Sequence, residues 1–315
     1  MQTVSEVQDW LTQVYGFPVP ELFARFVQTV STFMEEGYEN PYDYLGWDLS
    51  PAQCLGSKKT GSTGHKIAKR YPLTPIELFS FGWSGADGEH YGYLIHAPEL
   101  NQTDYPIVEY GPMNDFGMNL IGKDTQSGLE GLLSLVLEFE YAKALHKHNE
   151  LSAILGLYPS MEKASWYQNY RTFAPLVPED WRYEPSSDKV GVLAPAEKFS
   201  PEHDIAIAQL NYRQKPHHIL PQEILETAQN FLSEGYPATA LAIIRECYWQ
   251  RSDADNYSQY APLWQQAYID LDRQLLADTV DDLIHDSNRQ TIDQGMNLLR
   301  SSRIDIALFN RDKTE

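Results

Sequence analysis

Cysteine is scarce in this chain of 315 residues, which contains only Cys54 and Cys247. The two cysteines lie far apart, and neither belongs to a C-x-x-C pair. A disulfide framework or a thiolate zinc site is therefore not expected. The same scarcity favours a cytoplasmic location, because secreted proteins are the ones that rely on disulfides.

Long apolar runs are also missing. No stretch approaches the roughly 20 apolar residues that a membrane-spanning helix needs. The opening segment MQTVSEVQDWLTQ has neither the basic region nor the apolar region of a signal peptide. We therefore expect no membrane association and no secretion leader.

Basic residues are few relative to acidic ones, with 24 Lys and Arg against 44 Asp and Glu, for a formal net charge of -20. Such a surface repels nucleic acid and anionic membranes and attracts basic proteins. We therefore expect a protein partner, plausibly a basic one, and no nucleic acid. Hydrophobic residues make up 42% of the chain, which is enough for a folded core.

The first half of the chain begins with a helical pattern. Thr3 and Glu6 form a T-x-x-E capping box, which predicts the start of a first helix. Pro20 suits the first turn of a second helix, whose apolar residues recur every three or four positions. These residues are Leu22, Phe23, Phe26, Val30 and Phe33.

A strand pattern follows the helices. Tyr91, Tyr93 and Ile95 alternate with Gly92, Leu94 and His96, which predicts a strand. Short strands are also predicted at 106–112 and 118–123. A closing helix is expected to be capped by Ser127 and Glu130. Residues 1–150 are therefore predicted to be an α+β domain, with helices and a small, mainly antiparallel sheet.

The second half has a different composition. Residues 151–217 are predicted to be a helix and an extended, Pro-rich connector, and residues 218–310 an all-α region of helical hairpins. A hairpin is expected to turn at Gly235, with further helices near 258–286 and 289–302. The hairpin residues expected to face inward are Ala228, Phe231, Leu232, Ala240, Leu241, Ile243 and Ile244.

Potentially reactive side chains are most concentrated in FSFGWSGADGEHYGYLIHAPEL, residues 79–100, which contains serine, aspartate, glutamate and two histidines. The GWSGA motif resembles the G-x-S-x-G elbow of serine hydrolases, but Ala86 replaces the last glycine and a strand follows instead of a helix. The Asp87-Gly88 dipeptide is typical of hairpin turns. The simplest interpretation is a glycine-rich turn that leads into a strand.

An enzyme is the alternative interpretation of this turn. Asp87, Glu89 and His90 would then form a hydrolase site or a metal-dependent site. His90 and His96 cannot bind one ion together, because six residues of strand separate them by roughly 20 Å. On the preferred interpretation the protein has no catalytic residue, no cofactor and no metal.

A basic segment at 57–70 interrupts the acidic chain. A solvated loop is the simplest interpretation, and a contact loop for an acidic or phosphorylated partner is the alternative. Its basic residues are Lys58, Lys59, Lys66, Lys69 and Arg70.

Three segments resemble the SUKH superfamily, which contains immunity-type and cell-wall-assembly-regulator-like domains. They are YGFPVPELFARFVQTV (15–30), ELFSFGWSGADGEHYGYLIH (77–96) and PIVEYGP with the later LIGKDTQSGLEGLLSLVL (106–137). The resemblance covers roughly residues 5–145 and leaves out the C-terminal helices. It implies a non-catalytic protein-binding module, since many members of that superfamily are thought to neutralise bacterial toxins, often nucleases or deaminases, by binding them.

Aromatic side chains near the turn are the expected contact residues, because Tyr and Trp bury a large area with few rotatable bonds. The alternative is that they fill the core, which is the expected position of Tyr93. The C-terminal helices would add a second contact surface or a homo-oligomer interface. The predicted contact residues are Tyr44, Trp47, Trp83, Asp87, Glu89, His90 and Tyr91.

Overall fold

A computed structural model describes residues 2–55, 74–84, 88–111, 117–139, 143–160, 175, 177–213, 221–251 and 257–285. Three predicted features lie outside these residues. They are the basic segment at 57–70, the side chain of Asp87 and the helix expected near 289–302.

Two helices open the fold as predicted. Helix α1 (Val4–Tyr15) begins at the capping box: Glu6 N donates to Thr3 Oγ1 over 3.3 Å, and Thr3 N donates to Glu6 Oε2 over 2.7 Å. It ends at Gly16, whose φ of 79° is left-handed. Helix α2 (Glu21–Glu35) buries its apolar face against the rest of the domain.

Five strands form one sheet in which each strand is antiparallel to its neighbour in the sequence. The α+β prediction is thereby confirmed, and β3, β4 and β5 lie within two residues of the predicted strands. The strand bounds are β1 Asp48–Leu49, β2 Leu78–Trp83, β3 His90–Leu94, β4 Ile107–Gly111 and β5 Gly117–Gly122.

Strand β2 is not predicted from the sequence, because its residues do not alternate. The run LFSFGW is buried on both faces of the sheet, so neither face requires polar side chains. One face, which includes Phe79, Tyr93 and Ile107, belongs to the main core with α1 and α2. The other face packs against Val190, and its core residues are Leu78, Leu94, Val108, Tyr110 and Met118.

The remaining helices are α3 Tyr42–Leu45, α4 Ser50–Leu55, α5 Thr125–Phe139, α6 Leu145–Leu155, α7 His203–Arg213, α8 Pro221–Ser233, α9 Pro237–Arg251, α10 Tyr257–Asp270 and α11 Gln274–His285. None of these described helices is both long enough and apolar enough to cross a membrane. The helical C-terminal part is confirmed, and α8 and α9 turn at Gly235, whose φ is 86°.

Two helix predictions need correction. Helix α5 is capped by Asp124, whose Oδ1 accepts from Ser127 N over 2.8 Å, so Ser127 lies inside the first turn and not at the cap. The single helix expected at 258–286 is divided into α10 and α11. Asp272, with a left-handed φ of 60°, lies between them, and a residue in this conformation cannot continue a helix.

The segment predicted to be an extended connector also needs correction. It contains an antiparallel hairpin, β6 (Trp181–Glu184) and β7 (Val192–Pro195), followed by α7. Pro185 follows β6 and Pro195 ends β7, so these prolines mark strand ends and not a continuous extended chain. The domain boundaries near residues 150 and 217 stay a prediction.

A buried guanidinium joins three parts of the fold. Arg245 of α9 donates from Nη1 to Asp188 Oδ2 over 2.9 Å and from Nη2 to Glu77 Oε1. Tyr268 of α10 donates to the same Glu77 oxygen over 2.8 Å. Burial is the largest single influence on the pKa of Glu77 and raises it, but the charge and hydrogen bond of Arg245, together with His96 and a backbone hydrogen bond, lower it by more, so the carboxylate stays ionised. Hence the sheet, the hairpin loop and the C-terminal helices share one charge network.

Further contacts hold the same end of the sheet. Arg273 donates from Nε to Glu99 Oε1 over 2.9 Å and from Nη2 to Leu193 O. His96 donates from Nε2 to Val190 O over 2.6 Å. Burial lowers the pKa of His96 to about 4, despite the opposing effect of the Glu77 carboxylate. His96 is therefore neutral at pH 7.

We predict that Arg245→Met destabilises the fold by about 3–5 kcal/mol, because it leaves two buried carboxylates without a counter-charge. Urea unfolding of the full chain measures this change. The matched control is Arg25→Met, since Arg25 makes an exposed hydrogen bond to Ile154 O and its loss should cost about 1 kcal/mol or less. Adding Glu77→Gln and Asp188→Asn to Arg245→Met should recover part of the lost stability. Equal effects of Arg245→Met and Arg25→Met would contradict the prediction.

We also predict a contribution of His96 to acid unfolding. Its folded pKa of about 4 lies below the ordinary 6.5, so the unfolded chain binds more protons between these values. Its contribution is complete above pH 6.5 and falls with pH, by about 3 kcal/mol near pH 4. Unfolding free energies between pH 7 and pH 4 should therefore depend less on pH in His96→Gln than in the wild type. The exposed His146→Gln variant should keep the wild-type slope, and identical slopes in all three proteins would refute the assignment.

Candidate functional site

Most of the predicted aromatic contact residues lie in the core. Tyr44, Trp47 and Tyr91 are 0%, 1% and 4% exposed, and the Trp47 ring stacks on Phe26 at a centroid distance of 6.0 Å. They cannot contact a partner in this structure, so their assignment as contact residues is corrected. Tyr93 is buried as expected.

His90 supports the turn and does not face solvent. Its Nδ1 lies 2.8 Å from Gly88 O, and a carbonyl can only accept, so Nδ1 carries the proton. Its Nε2 then accepts from the Thr74 hydroxyl at 3.1 Å, and the ring packs on Tyr110. Since both nitrogens are engaged in a fully buried ring, His90 is not placed to act as a general base.

The other predicted residues of the turn are only partly accessible. Trp83 and Glu89 are half-buried, and Ser84 Oγ donates to Glu89 Oε2 over 3.2 Å. Of the predicted contact residues that the structure describes, Trp83 and Glu89 alone are not buried. The described residues on either side of residues 85–87 are therefore less accessible than the sequence suggests.

Glu109 is a titratable residue that the sequence analysis does not identify. It lies in β4 between Tyr91 and Asn119, is 4% exposed, and accepts from Asn119 Nδ2 over 3.2 Å. Burial, together with the nearby Glu89, raises the pKa of Glu109 to about 8. A carboxyl group that stays protonated at pH 7 is typical of functional sites, although structural networks also produce one.

An accessible apolar surface lies where α3 meets the start of α6. Tyr42 and Leu145 are 37% and 48% exposed. Ala144 N donates to Asp43 O over 3.0 Å, which holds the two short segments side by side. We call this region, together with Tyr38 and His146, the α3–α6 surface.

The α3–α6 surface is fixed by polar contacts at its margin. Tyr38 Oη lies 2.9 Å from His146 Nε2. Lys147 Nζ lies over the Phe33 ring and pairs with two acids, so the lysine cannot offset both charges. The acids at the margin are Glu36, Asp43 and Glu150, and the exposed Lys143 pairs with Asp43 over 3.3 Å, so three acids face two lysines there.

A second site is a cleft of about 230 Å³ beside the β6–β7 hairpin. We call it the His203 cleft; its polar lining consists of Glu184, Ser186, His203, Asp204 and Glu246. His203 is 2% exposed, its Nδ1 lies 3.1 Å from Thr239 Oγ1, and its Nε2 lies 3.7 Å from Glu184 Oε2. Burial lowers the pKa of His203, so the ring is neutral at pH 7.

The His203 cleft has no sequence signature. Glu184 and His203 belong to a strand and a helix that are separated by the second strand of the hairpin. No spacing rule connects two such positions, and only the hairpin brings them together. The cleft is the place where described side chains could hold a metal ion, since the ligand atoms of Glu184, His203 and Asp204 lie within 4.8 Å of one another.

We predict that Glu109→Gln stabilises the protein at alkaline pH. The folded pKa of about 8 lies above the ordinary 4.5, so the contribution of the wild-type carboxyl group is complete below pH 4.5 and is lost as pH rises through 8. Glutamine keeps the hydrogen bond from Asn119 and does not ionise. Its advantage should be near zero at about pH 4 and on the order of 4 kcal/mol near pH 8. Urea unfolding tests this, with the exposed Glu197→Gln as control; an advantage independent of pH would exclude the assignment.

No protein-family model matches this chain, and no curated protein matches it. Neither comparison therefore assigns a family or an activity. The SUKH resemblance stays a prediction from the sequence segments that carry it, and the function is inferred from the geometry and charge of the described residues.

Proposed function

We propose that this protein is a non-catalytic protein-binding module, an immunity or regulatory protein that binds a basic protein partner. The observation that carries the proposal is the α3–α6 surface, where Tyr42 and Leu145 are exposed beside acidic residues. An apolar centre with a polar margin is the usual anatomy of a protein interface.

The charge of the chain supports a basic partner. A formal charge of -20 attracts a positively charged protein over long distances and raises the association rate. This attraction is screened by salt, so binding should be weaker at high ionic strength. The scarcity of cysteine supports action in the cytoplasm.

The order of elements supports a SUKH-like module. Two helices, an antiparallel meander and the closing helix α5 follow one another over the range of the resemblance. The C-terminal helices contact this domain through Arg245, Tyr268 and Arg273, at the end of the sheet next to Glu77 and Glu99. That end is therefore occupied within the chain, which leaves the outer helical surface for a partner.

The enzyme alternative gains little from the geometry. It requires His90 to exchange protons with a substrate, whereas both ring nitrogens serve internal hydrogen bonds. A binding role does not require His90 to exchange protons, so it agrees with these internal hydrogen bonds.

The test is affinity capture with the full chain, followed by identification and purification of the captured protein. We expect Tyr42→Ala combined with Leu145→Ala to weaken binding of that protein about tenfold or more, since exposed aromatic and large apolar side chains carry much of the interface energy. Both substitutions are at exposed positions, so the fold should be unaffected. The matched control is Ile205→Ala with Ile269→Ala, two exposed apolar residues on other helices.

Binding should also weaken between low and physiological salt for the wild type and the control alike. Capture that is equal in all three proteins would exclude the α3–α6 surface, and binding that strengthens with salt would exclude a basic partner. If the partner is a nuclease or a deaminase, stoichiometric inhibition of its activity supports an immunity role. Unchanged turnover of the bound enzyme supports a regulatory role.

A further inference from the structure

The His203 cleft contains the donor set of a metal site. Zinc accepts imidazole nitrogen and carboxylate oxygen at about 2.0–2.2 Å, so ligand atoms around one ion lie about 3.5 Å apart. The ligand atoms of Glu184, His203 and Asp204 already lie within 4.8 Å of one another. Small side-chain rotations are enough to bring all three to one ion.

The orientation of the His203 ring is fixed by a contact between its Nδ1 and Thr239. Ser200 N donates to Thr239 Oγ1 over 2.8 Å, and the same hydroxyl lies 3.1 Å from His203 Nδ1. A bound metal ion requires the tautomer in which Nδ1 donates to Thr239 Oγ1, and Nε2 then presents its lone pair on the side of Glu184. Metal-binding histidines are generally held by such a hydrogen bond at the other nitrogen.

His203 is itself an independent indication of a ligand. The residue is 2% exposed, and in the described part of the chain Nε2 has no hydrogen-bond partner. Its nearest polar contact is Glu184 Oε2 at 3.7 Å, which is too long for a hydrogen bond. Nε2 is not one of the fully buried atoms that lack a partner, and His203 lines the cleft, so this nitrogen is open to a ligand that enters there.

The charges around the cleft favour a divalent cation. Arg182 contacts Glu184 Oε1 and, over 2.7 Å, Asp204 Oδ1. The second oxygen of each carboxylate is left for another ligand. Glu246 adds a third carboxylate to the lining, so the three acids exceed Arg182 by two charges.

We propose that the His203 cleft binds a divalent transition-metal ion of the zinc class through His203 Nε2, Glu184 and Asp204. Three protein ligands leave a fourth coordination position open to the cleft, as in sites where zinc binds water or a small ligand. This site is separate from the α3–α6 surface, and the proposal goes beyond the protein-binding function. It also departs from the expectation, based on sequence, that the chain has no metal.

The test is calorimetric titration of the chelator-treated full chain with zinc chloride. We expect one ion per chain at this site, and binding about tenfold or more weaker in His203→Gln and in Asp204→Asn. The Asp204 side chain is 82% exposed, so Asp204→Asn should leave the fold intact even if the buried His203→Gln does not. The control is His146→Gln, an exposed histidine that pairs with Tyr38 and should leave this affinity unchanged.

Two further variants distinguish zinc bound in the His203 cleft from zinc adsorbed elsewhere on the surface. Thr239→Val removes the hydrogen bond behind His203 and should weaken zinc binding by about 10-fold or more without removing a ligand. Arg182→Gln removes the competing cation and frees both carboxylates, so it should tighten binding. An ion adsorbed elsewhere would respond to neither variant.

Three outcomes would overturn the proposal. One is the absence of zinc binding to the wild type. Another is equal affinity in the wild type and Asp204→Asn with circular dichroism unchanged, because the ion then binds elsewhere. The third is weaker binding in Arg182→Gln than in the wild type. Partner capture by the metal-free chain tests the protein-binding function separately, so the two proposals can fail independently.

Discussion

The buried guanidinium of Arg245 is the contact on which the assembly of this fold depends. Removing a charge from water costs several kcal/mol, and only close partners recover that cost. Arg245 meets this requirement with Glu77, which directly precedes strand β2, and Asp188 from the hairpin loop, both buried. Helix α9 is therefore stable in its position only while both of these partners are in place. The C-terminal helices are thus packed into the same hydrophobic core as the α+β domain, and they are not an appendage to it.

Two buried titratable residues give the protein opposite responses to pH. The stability that His96 contributes falls as pH drops below 6.5, whereas the stability that Glu109 contributes falls as pH rises above 4.5. Between these values the two slopes have opposite signs and largely cancel. Each residue alone would make the fold sensitive to pH in the range where proteins work. The two effects therefore oppose each other between pH 4.5 and 6.5, and above this range the effect of Glu109 continues alone up to about pH 8.

Local patterns in the sequence were enough to predict the elements whose signals are themselves local. The Thr3–Glu6 capping box, the strand β3 and the turn at Gly235 were predicted from neighbouring residues, and each is confirmed. Strand β2 was missed because burial on both faces removes the alternation. The β6–β7 hairpin was missed because its prolines suggested an extended chain. The burial of Trp47 and the convergence at His203 depend on contacts between distant segments, which no periodicity records.

Contacts from the Arg245 region of helix α9 also fix the loop beside the His203 cleft. Arg245 and Glu246 are consecutive on α9, and both hold the loop of the β6–β7 hairpin: Arg245 through Asp188, and Glu246 through the backbone N–H and hydroxyl of Ser187, each at 2.7 Å. The strand that supplies Glu184 leads directly into this loop. Its carboxylate is therefore positioned before any ligand arrives, and little conformational entropy remains to be lost on binding. Sites held in this way are more selective in geometry than clusters of exposed acids. The ion pair of Arg245 with Asp188 thus both joins distant segments of the fold and fixes the loop beside the His203 cleft.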